Sequence, residues 1–220
     1  MKKILKGFTL AEVLITLGII GVVAALTLPS LQINVNQQAL SSQISKTYSQ
    51  LSEGLKMYMT DRSLDEFDPA SFNVNDFART YLQVQYVCNG ENDENCFAPN
   101  YTTVRGNRTV SRNLVLASLD GGNATSGFIL KDGTTLFMDR TSITFDVNGL
   151  KGPNKVGYDV HSVLINNDGS IGPSVASAFA NPAQQNAQIQ RNFNRCLTGS
   201  EPYGAGCFTH LLRNNFRFDY

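Results

Sequence analysis

Residues 8–31 read FTLAEVLITLGIIGVVAALTLPSL, 24 residues that carry a single charge, Glu12. As an α-helix rising about 1.5 Å per residue, the stretch is roughly 36 Å long, enough to cross the hydrocarbon core of a bilayer. Lys2, Lys3 and Lys6 precede it. A basic flank of this kind stays on the cytoplasmic side, which places the bulk of the chain outside. An export signal cut near Val23-Ala24-Ala25, or a plain membrane anchor, accounts for the apolar run. Neither accounts for Glu12, because a carboxylate at membrane depth is expensive unless it is paired.

The residues leading into the run separate these readings. Lys3-Ile4-Leu5-Lys6-Gly7-Phe8-Thr9-Leu10-Ala11-Glu12 closely resembles the leader and processing site of type IV prepilins and type II secretion pseudopilins. The resemblance is confined to the leader and the apolar run. It implies that a dedicated prepilin peptidase cuts after Gly7, leaves Phe8 as a new N-methylated terminus, and retains Glu12 for subunit assembly. Pro29 stands where many members kink the helix, and Gly18 and Gly21 where it loosens. The resemblance also implies a structural subunit rather than an enzyme. Its expected partners are other pilin or pseudopilin subunits, an inner-membrane assembly platform and, before assembly, membrane lipid. Its expected location is a single-pass inner-membrane state with the head extracytoplasmic, then a periplasmic or cell-surface filament.

Beyond the apolar run the helical period continues. Ile33, Leu40, Ile44, Tyr48, Leu51, Leu55 and Met59 recur at spacings built from threes and fours, while Gln37, Gln38, Ser41, Ser42, Gln43, Ser45 and Lys46 fill the other faces. This is an amphipathic helix that packs one stripe on a domain. The expected organisation is a leader over residues 1–7, a membrane and filament-core helix over 8–31, an amphipathic continuation over 32–60, and an extracytoplasmic head over 61–220. Pro29 loosens the long helix because proline removes a backbone donor.

The head reads as α+β, an antiparallel sheet packed on the long helix. Asn75 is a candidate cap for a short helix reaching Tyr86. Leu114-Val115-Leu116 opens a continuous apolar run that reads as a strand. Phe128–Lys131 and Thr134–Met138 flank Asp132-Gly133, a two-residue hairpin signal. Residues 142–147 alternate, with Ile143, Phe145 and Val147 on one face, and residues 159–165 form a further strand. Residues 182–197 form a polar helix with proline in its first turn. Residues 207–218 read as an edge strand or extended tail.

The four cysteines, Cys88, Cys96, Cys196 and Cys207, fall in two close pairs with no C-x-x-C spacing. Outside the cytoplasm they are expected as disulfides. Of three connectivities, Cys88–Cys96 and Cys196–Cys207 close the shortest loops at least entropic cost.

Basic and acidic side chains balance at 18 each, so no whole-chain field recruits nucleic acid. Arg105, Arg108 and Arg112 form a small basic cluster that reads as a solvated face, with phosphate contact the alternative. No P-loop, G-x-S-x-G or H-E-x-x-H is present. Cys207 and His210 are three apart, but a disulfide is the stronger expectation for Cys207 than a nucleophile pair. His161 reads as a half-exposed sheet residue. The connection over residues 146–159 gathers Asp146, Asn148, Asn154 and Asp159 among glycines. Its oxygens suit calcium, and it resembles in chemistry the calcium loop of major pseudopilins, although Leu150 departs from the EF-hand pattern and no glutamate closes the loop. The other reading is a turn-rich strand connection whose Asn and Gly supply unusual backbone angles. The sequence leaves open a secretion pseudopilus, an adhesive or motile pilus, and a DNA-uptake or adhesin subunit at a filament tip.

Overall fold

A computed structural model describes residues 9–90, 93–116, 126–172, 181–200 and 204–220, without the side chains of residues 28–35. The helix α1 spans Leu10–Asp61, and the chain divides into two compact units, Met1–Ala39 and Leu40–Tyr220.

In the first unit, Leu10–Thr27 is long and apolar enough to cross a membrane, and none of it is buried. Helical backbone runs unbroken through positions 18, 21 and 29. The side chain of Pro29 lies outside the described residues.

In the second unit α1 supplies the core stripe. Leu40, Ile44, Thr47, Leu51, Leu55, Tyr58 and Met59 are all buried, at intervals of three and four with Tyr58 beside Met59. Burying Leu40, Ile44, Leu51, Leu55 and Met59 contributes on the order of 10 kcal/mol, before the entropy of ordering the chain. Ile33 lies among the side chains not described.

The helix α2, Val74–Tyr81, is capped by Asn73, whose side chain accepts from the Asp76 N–H. The expected cap at Asn75 and extension to Tyr86 are therefore corrected. Residues 84–87 are β-branched or aromatic at three of four positions, and they leave the helix to pair with a neighbouring strand.

Nine strands lie in one sheet among the described residues. They are β1 Val84–Val87, β2 Asn100–Thr103, β3 Thr109–Ser111, β4 Ser126–Leu130, β5 Thr135–Met138, β6 Ser142–Asp146, β7 Lys155–Val156, β8 Val160–Ile165 and β9 Ile171–Gly172. Their order is β1-β4-β5-β6-β8-β7-β2-β3, with β9 on β8. The centre is an antiparallel meander whose β4–β5 hairpin closes where expected, but over the three residues Lys131, Asp132 and Gly133 rather than two. The Gly133 N–H donates to the Leu130 carbonyl at 2.9 Å and the Leu130 N–H to the Thr134 carbonyl at 2.8 Å. The flank is mixed, because β7 runs parallel to both β2 and β8.

All five residues of β6 are buried. The polar Ser142, Thr144 and Asp146 are thus covered like Ile143 and Phe145, whereas alternation alone suggests one wet face. Ser142 bonds Asp139 and Thr144 bonds Ser162, which satisfies the covered hydroxyls.

Leu114 and Val115 belong to a short helix, α3 Arg112–Val115, rather than to a strand. The rest of that apolar run, residues 117–119, is outside the described residues. The polar helix appears as α4, Pro182–Thr198, capped by Asn181. In place of the edge strand or extended tail expected over 207–218, the chain forms the helix α5, Ala205–Arg213, and only the residues after it lack regular structure. Its period is visible in retrospect, since Ala205, Phe208 and Leu211 are all buried. A disulfide joins Cys196 of α4 to Cys207 of α5, and another joins Cys88 to Cys96.

Candidate functional site

The exposed helix begins with a reciprocal cap. The Thr9 N–H and hydroxyl both donate to Glu12 Oε2, at 2.8 and 2.7 Å, and the Glu12 N–H donates back to Thr9 Oγ1 at 3.3 Å. With α1 starting at Leu10, this is a Thr-x-x-Glu capping box, which satisfies donors that a helix start otherwise leaves open. Glu12 is therefore not a bare charge within the run. Sequence reasoning missed Thr9, although the three-residue spacing was its signal.

The next turns continue the same economy. Thr16 donates to the Val13 carbonyl and Thr27 to the Val23 carbonyl, each at 3.0 Å, so the few hydroxyls need no solvent. Leu10, Val13, Leu14, Ile15, Leu17, Ile19, Ile20, Val22, Val23 and Leu26 are all at least 44% exposed. A helix apolar on every side is stable only when lipid or other apolar helices cover it. Gly7 and Phe8 lie outside the described residues.

The second candidate is the connection between β6 and β8, and here the fold brings the four sequence-selected residues together. Asp146 ends β6 and pairs with Val160, so the Asp159 carboxylate enters from the adjacent position. Asp159 accepts the Asn154 N–H at 2.8 Å, the Lys155 N–H at 2.5 Å and Asn148 Nδ2 at 3.2 Å. Asp146 accepts the Asn148 N–H at 3.2 Å. Asp146 is 5% exposed and Asp159 0%. Burial pushes both carboxyls above the usual range, and the Asp159 charge pushes Asp146 further.

Two observations test whether this loop suits a cation. None of the ion pairs among the described residues includes Asp146 or Asp159. The Oδ1 atoms of Asn148 and Asn154 are buried without a hydrogen-bond partner, although Asn148 Nδ2 donates to Asp159 and to the Gly152 carbonyl. Two buried carboxylates without a cationic partner, in the same connection as two amide oxygens without donors, offer the oxygen ligands that a hard divalent cation takes. Leu150 is 47% exposed and stands apart from these donors. Among the described residues no three His, Cys, Asp or Glu side chains cluster, so the amide oxygens are essential to the fit.

The remaining candidates resolve as structural. Cys207 is disulfide-bonded, while His210 lies flat on Phe193 at 3.8 Å and bonds Asp219 at 2.7 Å. His161 is wholly buried, which corrects the half-exposed reading. Its Nε2 meets the Tyr158 carbonyl at 3.1 Å, and burial takes its pKa down to about 4, so the ring is neutral. The three arginines of the basic cluster differ in setting, Arg105 and Arg108 being exposed and Arg112 half-buried. Arg108 donates to the Gly199 carbonyl at 3.0 Å, and Arg112 has its Nε and Nη1 buried without a partner.

Comparison with known proteins gives one partial likeness. The chain is 39% identical over 79 residues to the type IV major fimbrial protein FimA of Dichelobacter nodosus strain VCS1703A, and equally to FimA of Dichelobacter nodosus. The match takes in 34% of this chain and 46% of each relative, so the chain spans about half the length of the curated relatives it matches. No family model and no solved structure matches. The likeness supports a type IV pilin-like relationship.

Proposed function

We propose that this chain is a structural subunit of a type IV pilus or a type II secretion pseudopilus, which polymerises through its N-terminal helix. The observation that carries this reading is the apolar stretch Leu10–Thr27, none of it buried, in the same helix as residues that form the core of the head. Cleavage after Gly7 by a prepilin peptidase frees an amine on Phe8, four residues from Glu12. In the membrane this helix is covered by lipid. In a filament it is covered by the same helix of neighbouring copies, whose open head-to-tail contacts build a fibre. The FimA likeness and the disulfide-stapled head fit an extracytoplasmic, non-enzymatic role, and the inner-membrane platform is the remaining partner.

Two substitutions at one site test the assembly role. Glu12→Gln keeps an oxygen for the Thr9 cap but removes the charge, whereas Glu12→Leu removes both. Both variants are expected in the membrane fraction, correctly cleaved, yet depleted from sheared filaments. Wild-type filament levels for both would refute an assembly role for Glu12. Rescue by Gln alone would show that only the cap matters.

A second reading concerns the head. We infer that residues 146–159 bind calcium through Asp146, Asp159 and the amide oxygens of Asn148 and Asn154, and the two orphaned Oδ1 atoms support it. The cation, when bound, supplies the positive charge that the buried carboxylates otherwise lack. The chain's residues orient the donors: the Asn154 and Lys155 N–H groups hold Asp159, and Asn148 bridges it to Gly152.

A further inference from the structure

The turn over residues 155–159 also meets the disulfide between α4 and α5. Gly157 adopts φ +84°, and a β-carbon on it would lie 2.6 Å from Cys196 Sγ, 2.7 Å from Cys207 Sγ and 2.7 Å from Val104 Cγ2. The turn therefore sits directly on the α4–α5 disulfide, at a spot where only glycine fits. Its carbonyl accepts the Tyr220 hydroxyl at 2.8 Å. The neighbouring Tyr158 ring packs on Phe218 at 5.1 Å, and Tyr220 packs on Phe193 at 5.3 Å and on Phe218 at 5.5 Å. Residues 157 and 158 are thus clamped immediately before Asp159 in the chain. The segment doing this is itself anchored to α1, where Ser41 donates to the Phe216 carbonyl and Tyr48 packs on Phe216 at 5.7 Å.

We propose that residues 216–220 and the Cys196–Cys207 bridge hold the 155–159 turn in its cation-binding geometry, with Tyr220 as a positioning residue for the site. The inference rests on the calcium reading above. A site whose competent geometry is only partly populated binds with an affinity reduced by that fraction. The Tyr220–Gly157 bond and the ring packing keep the turn populated before the cation arrives, which is preorganisation. The Tyr220 hydroxyl bonds the Gly157 carbonyl rather than a donor oxygen, so deleting that hydroxyl acts on the site through the turn.

The test measures calcium affinity of the full chain in detergent micelles, by displacement of terbium luminescence. Tyr220→Phe keeps the ring and deletes the bond to the Gly157 carbonyl. Its dissociation constant is expected to rise about threefold to tenfold, the equivalent of one ordinary buried hydrogen bond. Tyr220→Ala is expected to weaken binding further. Phe77→Leu provides the control. Phe77 is wholly buried among Tyr58, Phe72 and Tyr81, so this variant is expected to melt earlier with an unchanged dissociation constant. Equal affinity in wild type and Tyr220→Phe overturns the positioning role and leaves the calcium reading intact. A loss in Phe77→Leu as large as in Tyr220→Phe overturns it too, because affinity would then merely follow stability. Absence of calcium binding by wild type removes the cation site itself.

Discussion

If Asp146 is a calcium ligand rather than a structural carboxylate, then Asp146→Asn should change thermal stability in opposite directions with and without calcium. A ligand that binds only the folded state stabilises it by RT ln(1 + [L]/Kd), about 2.7 kcal/mol at a hundredfold excess over Kd. The compact unit Leu40–Tyr220 has 181 residues, counted as 220 − 40 + 1. For a domain of this size each kcal/mol moves Tm by about 2–4 °C, so calcium is expected to raise the wild-type midpoint by about 5–11 °C. Losing one carboxylate ligand costs on the order of a hundredfold in affinity. At the same calcium concentration the linkage then falls to about 0.4 kcal/mol and the shift to about 1–2 °C. In chelator the sign reverses. The asparagine keeps an oxygen for the Asn148 N–H but has no charge to desolvate beside Asp159, so the variant is expected to melt at or above wild type. Circular dichroism melts in millimolar calcium and in chelator decide the matter. Superimposable wild-type curves would refute the cation site. A variant destabilised equally in both conditions would make Asp146 purely structural.

Four further expectations follow from particular residues. Folded-state pKa values above the unfolded ones mean that the native chain holds protons on Asp146 and Asp159 that the unfolded chain has released. This contribution therefore destabilises the calcium-free head as pH rises from about 4. Asp146→Asn should flatten that part of a pH–Tm profile, and an unchanged profile would exclude it. Gly157→Ala must place its β-carbon against both sulfurs, costing about 2–5 kcal/mol, whereas Gly133→Ala, at φ +89° with open space around it, carries only the backbone cost of about 1–2 kcal/mol. Equal midpoints in urea for the two variants would contradict the contact. Replacing Cys88 and Cys96 together by alanine should cost about 2–3 kcal/mol by loop entropy, read in the same urea titration. Mass analysis of the membrane-extracted protein should find a chain starting at Phe8, 213 residues long by 220 − 7; a start near Leu26 would mark an ordinary signal peptide.

The amino-acid sequence by itself determined what depends on nearest neighbours along the chain. The apolar run, the buried stripe of α1, the Asp132-Gly133 hairpin and the proline-led α4 are local patterns with a period or a turn chemistry that only one backbone state satisfies. The four oxygen residues of the 146–159 connection could be named from the sequence, but a run of Asp, Asn and Gly is equally the chemistry of a turn-rich strand connection. What the sequence misread were elements whose state is decided by partners far away. Val84–Val87 is a strand because β4 lies beside it. Lys155–Val156 is a strand because β2 and β8 flank it on either side. Residues 205–213 are helical where the apolar pattern also allowed a strand. Only the tertiary structure showed that β6 is covered on both faces, which is what buries Asp146. It also placed Asp159 within the same sealed turn and set Gly157 against the second disulfide. Burial, and with it the cost of an uncompensated charge, is a property of packed neighbours. For that reason the residue types of the connection could be read along the chain, while the burial of its carboxylates and of two amide oxygens without donors appeared only once the chain was folded.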